Sequence, residues 1–282
     1  MTISPSRTVL AASAFLLLSS VPSTQSQTTP QISPADLVKA VIGTELNTSK
    51  ATEIRWKYRS DKQMDGKVET REVVETRSGS LDRLIAIGGR PLNSAEQREE
   101  TERILRLSHD PDQQRKLEES RRKDAEQCNR FLQMIPDAFL FEYAGKSGDL
   151  VKVTFKPSPN FQPPSREGKV LHQMAGDIWI HPKRQRLVSI DGRLISDIKF
   201  GGGLLGHLQK GGEFKVTRTE IAPDQWELTE MTANMQGKAL LFKAISVKQR
   251  EVHSDFQPVS EDLSFSDAVA LLLKQTLVAV KR

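Results

Sequence analysis

The chain has 282 residues, with 41 Lys and Arg against 36 Asp and Glu and a formal net charge of +5. A single cysteine, Cys128, excludes an intramolecular disulfide, and the length suits one large all-β or α+β domain. The basic residues are spread along the sequence rather than gathered beside aromatic residues, so we expect no nucleic-acid binding.

Residues 1 to 26 have the features of a secretory signal peptide. Arg7 supplies the positive charge, Val9 to Leu18 form the apolar part, and small and polar residues follow. The apolar part is shorter than the about 20 residues of a transmembrane helix, although a retained anchor stays the alternative. No lipobox cysteine is present, so we expect a periplasmic protein whose domain follows a linker at residues 27 to 32.

The next segments predict a helix and then strands. Ser33 and Pro34 suit a helix start, as cap and first-turn residue. From Glu53 to Arg59 every second residue is apolar, which indicates a strand with one buried face. Asp65-Gly66 then provides a hairpin turn into a partner strand.

A charged helical insertion at residues 93 to 133 interrupts the strands. We predict a capping box between Ser94 and Gln97 for its first helix, and Asp110 as the cap of the second. Interleaved charges indicate solvent-exposed faces. Cys128 falls in an apolar series with helical spacing, so we expect it to be buried where the second helix docks.

Alternating segments resume after the insertion and continue to about residue 256, and residues 264 to 277 predict a closing helix. The expected fold is α+β: a large curved antiparallel sheet of about eleven strands, an open half-barrel, with helices over its concave face. Residues 33 to 282 would form this single domain.

The sequence contains no pattern that specifies a reaction. Its five histidines form no HxH or HExxH pair, and it has no nucleophile elbow, phosphate-binding loop or dinucleotide fingerprint. We therefore expect a protein that is not an enzyme and that binds no metal or cofactor. A hydrolase stays as an alternative, which would need His172, His181 or His207 beside a carboxylate in a polar cleft.

The glycine-rich segment at residues 200 to 212 has two interpretations. It predicts either a wide hairpin whose leucines pack under the sheet, or an apolar tip that touches a membrane through Leu204, Leu205 and Leu208. Lys199 and Lys210 would then contact lipid headgroups.

The segment Gly176 to Leu187, with Phe155-Lys156-Pro157 before it, resembles a recurrent hairpin of the LolA/LolB-type periplasmic lipoprotein carriers and receptors. That resemblance implies an open half-barrel whose greasy face holds acyl chains. The expected partner is a lipid or a lipoprotein acyl chain, and we further expect a monomer that contacts the membrane surface transiently.

The groove that the resemblance implies would be lined by apolar residues of successive strands. They are Trp56, Tyr58, Phe139, Phe141, Val153, Phe155, Ile178, Ile180 and Trp226. The same residues would equally fill an ordinary core. A periplasmic sensor or protein-interaction module on the same fold is the first alternative function.

Overall fold

The computed structural model describes residues 32–51, 54–77, 79–200, 206–239 and 243–279. The predicted signal peptide at residues 1 to 26 lies outside them, as do Leu204 and Leu205. Residues 33 to 282 form one compact unit, of which the structure describes the ranges given above.

Five helices and thirteen strands alternate along the described chain. The helices are α1 (Pro34–Ala51), α2 (Ser94–Ser108), α3 (Pro111–Ala138), α4 (Arg166–Leu171) and α5 (Phe265–Ala279). The first eight strands are β1 (Arg55–Met64), β2 (Lys67–Thr76), β3 (Gly79–Ile87), β4 (Arg90–Pro91), β5 (Phe139–Ser147), β6 (Leu150–Pro157), β7 (Met174–His181) and β8 (Arg186–Leu194). The others are β9 (Ile198–Phe200), β10 (Gly206–Leu208), β11 (Glu213–Ala222), β12 (Gln225–Ala239) and β13 (Lys243–Val259).

All strands belong to one antiparallel sheet. Its order is β4-β3-β2-β1-β13-β12-β11-β8-β7-β6-β5, and β10 joins β9 to β12 beside this path. The sheet is not closed into a barrel. The predicted fold class, α+β with a large curved open sheet, is confirmed.

The strand register shows that the two hydrophobic clusters lie on opposite faces of the sheet. Paired residues of neighbouring strands share a face, and alternate residues of one strand do not. One row of paired residues crosses the sheet: Val153, Ile178, Ile190, Val216, Met231, Glu251, Lys62 and Glu69. Val74 and Leu81 pair with each other and lie on the other face of β2 and β3.

Each face has its own helices. The larger cluster packs α1 and the end of α3 against β5 to β8, and it includes Val41, Ile135 and Ile178. The smaller cluster packs α2 and α5 against Val74 and Leu81. This division between two faces is a finding that the alternation pattern did not predict.

Helix α2 covers the exposed edge of β3 with polar side chains. The Glu100 carboxylate accepts a hydrogen bond from the Leu84 N–H at 2.7 Å, and Arg103 donates to the Asp82 carbonyl at 2.7 Å. These bonds replace the neighbouring strand that the edge lacks, and so protect it from pairing with another chain.

The predicted β1–β2 turn and the predicted cap of α3 are present, whereas the predicted cap of α2 and the predicted burial of Cys128 are wrong. Asp65 and Gly66 both have positive φ in the β1–β2 turn, and Asp110 caps α3. The cap of α2 is Asn93, with Glu96 as its capping-box partner, one residue earlier than the predicted pair. Cys128 is exposed, because the docking face of α3 starts only at Phe131.

Candidate functional site

Six of the nine predicted groove residues lie in the larger hydrophobic cluster, called here the apolar cluster. They are Phe139, Phe141, Val153, Phe155, Ile178 and Ile180. The rings of Phe139 and Phe155 are 4.6 Å apart between centroids. Gly192 leaves room for Phe214, since a Cβ there would lie 2.3 Å from the Phe214 ring. The structure therefore brings these six residues together on one sheet face.

The protein's own side chains fill the interior of the apolar cluster. The space enclosed beneath α3 and α4 has a volume of about 10 Å³. This is close to the space that one water molecule needs. Its lining comprises Phe131, Ile135, Phe139, Phe155, Leu171, Met174, Ile178, Ile190 and Phe214. An acyl chain would enter only if part of this lining moved.

A larger cleft lies on the outer side of α3 and is called here the lateral cleft. Its volume is about 570 Å³, and its walls are α3 and the proline-rich loop before α4. Met134 and Phe161 give it apolar surface, whereas Arg130, Asp137 and Glu167 give it charge. Phe131 lines both this cleft and the enclosed interior. The Phe131 ring is thus part of the wall between them.

Helix α3 has few buried anchors for its 28 residues. Only Ile135 and Ala138 are buried, and both lie in its last turn. Pro136 lies inside the helix and has no N–H to donate to the preceding turn. The end of α3, which lines the lateral cleft, is therefore the part that docks on the sheet, whereas its earlier turns contribute no buried side chain.

The remaining three predicted groove residues lie apart from the apolar cluster. Trp56 and Tyr58 contact Phe256, with ring centroids at 6.1 and 5.3 Å. Trp226 lies beside His181, at 6.4 Å between centroids, and its buried indole Nε1 has no hydrogen-bond partner. These aromatic residues adjoin polar groups rather than an apolar groove.

Trp56 joins two buried carboxylates. Its backbone N–H donates to Glu75 at 2.9 Å, and its indole Nε1 donates to Glu227 at 3.1 Å. Burial raises the pKa of Glu75 and the pKa of Glu227 above their ordinary values, while these hydrogen bonds act in the opposite direction. Repulsion by the Glu227 carboxylate also raises the pKa of Glu75.

Glu45 connects α1 to the sheet through two arginines. Its carboxylate contacts Arg218, lies 3.4 Å from Nε of Arg186 and accepts the Leu187 N–H at 3.0 Å. Arg186 also donates to Thr48 at 2.8 Å. Burial lowers the pKa of Arg186 and that of Arg218, with Glu227 opposing the shift in both. Glu45, Trp56, Glu75, Arg186, Arg218 and Glu227 are called here the charged region.

The hydrolase alternative requires a histidine beside a carboxylate in a polar cleft. His172 lines a cleft of about 290 Å³ between α4 and β9, together with Ser196 and Asp197. His207 lies 3.5 Å from the Asp197 carboxylate. The cleft thus places a histidine and a carboxylate in one polar lining, as the hydrolase alternative requires, whereas the Ser196 hydroxyl donates to the Gln173 side chain and not to a histidine. In the part of the chain that the structure describes, no group of three metal-ligating side chains occurs.

Of the predicted membrane-contact residues, only Leu208 is described. It is partly buried and packs against the apolar cluster, as the hairpin interpretation predicts for that residue. Across the described ranges, no helix combines the length and the apolar character that a membrane crossing requires.

Fold and site together define an α+β protein with an open curved antiparallel sheet, a filled apolar cluster and a separate charged region. Neither the protein-family models nor the curated proteins that were compared with the chain gave a match.

Proposed function

We propose that the protein is exported and binds an acyl chain, of a lipid or a lipoprotein, between α3 and the sheet, without covalent chemistry. The observation that carries this proposal is the position of Phe131, which separates a 570 Å³ lateral cleft from the apolar cluster. A chain would lie first in the cleft and then replace the Phe131 ring against the sheet.

The binding energy would come from burial of methylene groups. Each buried methylene contributes about 0.8 kcal/mol. The two buried anchors of α3, Ile135 and Ala138, follow Phe131 and would stay in place while the Phe131 ring moves. Displacement of side chains from the apolar cluster opposes binding, so release of the chain needs no other energy source. We expect the carrier to be a monomer.

Lipid extraction and mass analysis of the protein purified from its own envelope tests the proposal. Co-purified lipid at close to one chain per protein is the expected result. A protein that is free of lipid, and that also fails to bind a fluorescent fatty acid in solution, would contradict it.

A variant of Phe131 tests whether the acyl chain passes this side chain between the lateral cleft and the interior of the apolar cluster. Phe131→Glu places a charge at the wall between the lateral cleft and the interior, and we expect it to weaken fatty-acid binding at least about tenfold, because an unpaired charge next to the chain is costly. Leu117→Glu is the matched control on the same helix, since Leu117 is 39% exposed. Equal affinities of the two variants would place the chain elsewhere.

The filled interior favours a second candidate, a periplasmic sensor or protein-interaction module. A cluster that encloses only about 10 Å³ is complete without a ligand. Native mass spectrometry separates the two candidates: a lipid adduct supports the carrier, and a lipid-free chain that retains a protein partner supports the module.

A further inference from the structure

The cleft between α4 and β9 is a polar site that the proposed function does not use. Its lining is Pro163, Lys169, His172, Gln173, Ser196, Asp197, Ile198 and Lys199. Its volume of about 290 Å³ is open to solvent, and it is called here the α4–β9 cleft. Lys169 and Lys199 approach it from two different elements, and both are exposed.

The one acidic group in this lining is already engaged. Asp197 accepts the backbone N–H of Lys210 at 2.8 Å through Oδ1, and its Oδ2 lies 3.5 Å from Nε2 of His207. The first of these contacts lowers the pKa of Asp197 most, and His207 and Lys199 act in the same direction. Both Asp197 oxygens therefore have partners at His207 and Lys210, and the two lysines of the lining outnumber its single negative charge.

His172 adds a neutral donor. Its Nδ1 is buried and has no hydrogen-bond partner, while its ring lies 5.8 Å from Phe161 between centroids. A buried unpaired N–H is costlier and rarer than an unpaired acceptor, so the proton belongs on Nε2. The ring can then donate from its other edge, in a cleft that it lines together with two cations.

We propose that the α4–β9 cleft binds a phosphate group through Lys169, Lys199 and Nε2 of His172. Two point charges and one N–H donor suit a small anion with several acceptor oxygens. The phosphate can belong to a lipid headgroup or to a free phosphate ester. This goes beyond acyl-chain binding, because it requires no chain in the apolar cluster.

Paired lysine variants of the mature protein test the site. Lys169→Gln with Lys199→Gln removes two charges from the cleft, and Lys116→Gln with Lys146→Gln removes two exposed charges elsewhere. Flotation with phosphatidylglycerol vesicles at low salt measures binding. Each lysine near an anionic surface strengthens binding about fivefold, so the cleft pair should weaken it about twentyfold and the control pair less than about twofold.

Titration with glycerol 3-phosphate identifies the source of the phosphate. Amide shifts confined to residues 169–173 and 196–199, with competition against the vesicles, support a site for free esters as well as headgroups. Vesicle binding that depends on the cleft lysines, without such shifts, supports headgroups alone. Equal weakening by both lysine pairs, or no binding of either probe by the wild type, would overturn the proposal.

The fatty-acid assay keeps the two proposals separate. The cleft pair should bind fatty acid as the wild type does, since neither lysine lines the interior or the lateral cleft. A wild type that binds phosphate but no fatty acid would end the carrier proposal and leave the phosphate site standing. A wild type that binds fatty acid but no phosphate would end the phosphate proposal and leave the carrier proposal standing.

Discussion

The apolar cluster and the charged region stabilise one sheet by different means. In the apolar cluster, strands β5 to β8 and helices α1 and α3 contribute side chains of similar chemistry, and the fit depends on their volumes. In the charged region each group has a named partner, such as Glu45 with Arg218 or Trp56 with Glu227. We expect the apolar cluster to tolerate replacement of one apolar residue by another of similar volume, whereas the charged region should tolerate few substitutions.

This difference predicts how each region responds to a deletion. Removal of buried methyl groups loses their transfer energy and leaves a cavity. Removal of one member of a buried ion pair leaves its partner charged and unpaired, which costs more than the pair contributed. In the proposed carrier, the charged region would hold α1 in place while side chains of the apolar cluster move.

The largest effect should come from Glu45→Ala. The change leaves Arg186 and Arg218 without their shared carboxylate, and we expect the free energy of unfolding to fall by about 4 kcal/mol. Urea unfolding followed by tryptophan fluorescence measures it. Glu102→Ala is the control, since the exposed pair of Glu102 with Arg106 should contribute less than about 0.5 kcal/mol. If Glu45→Ala lowered the free energy of unfolding as little as the control does, the charged region would not stabilise the packing of α1 on the sheet.

Ile180→Ala tests how much the packing of the apolar cluster contributes to the free energy of unfolding. Ile180 is fully buried, and we expect a loss of about 3 kcal/mol from transfer and cavity terms. Ile195→Ala removes the same atoms from a side chain that is 38% exposed, and should cost much less. If the Ile180 variant also binds fatty acid more tightly, the new cavity lies on the chain's path.

The strand pattern was predictable because alternation is a local property. The strand at Trp56-Lys57-Tyr58, the Asp65-Gly66 turn and the Asp110 cap each depend on neighbours in sequence, and each is present, although Lys57 is buried beside Trp56 instead of facing solvent. Helix α4 was not predicted: residues 156–168 contain four prolines, a composition typical of an irregular loop, yet Ser165 caps a short helix there.

The charged region was not predictable because its partners are far apart in sequence. Arg218 is 173 residues from Glu45, and Glu227 is 171 residues from Trp56. A single charged residue in a strand indicates a solvent-facing position, and only the three-dimensional packing brings Arg218 to Glu45 of α1 and Glu227 to the Trp56 indole. Trp56 and Trp226 followed the apolar alternation, and the pattern did not reveal that their neighbours are charged.

A smaller effect should follow from Glu100→Ala, because Arg103 is partly exposed and keeps Asp82 as a second partner. The Leu84 N–H loses its acceptor, and Arg103 loses an ion-pair partner at 2.7 Å. We expect a loss of about 2 kcal/mol, and more aggregation because the β3 edge is less protected. Glu99→Ala, at an exposed position one residue earlier, should change neither urea stability nor light scattering.

The smallest effects, and the most diagnostic, concern the pH dependence of two glutamates. Burial raises the pKa of Glu227, whereas the hydrogen bond from His253 lowers the pKa of Glu251, relative to an ordinary 4.5. The contribution of Glu227 to stability is therefore complete below 4.5 and is lost as the pH rises through its folded pKa. The contribution of Glu251 is complete above 4.5 and is lost as the pH falls through its folded pKa.

Glutamine variants isolate these contributions, because Gln keeps the acceptor and removes the titration. The stability of wild type minus that of Glu227→Gln should fall as the pH rises above 4.5. The corresponding difference for Glu251→Gln should instead rise as the pH increases from below 4.5. Urea midpoints across this range measure both. A Glu227 difference that does not fall as the pH rises would mean that Glu227 is hydrated in solution, and the charged region would then be an open polar surface and not a buried counterpart of the apolar cluster.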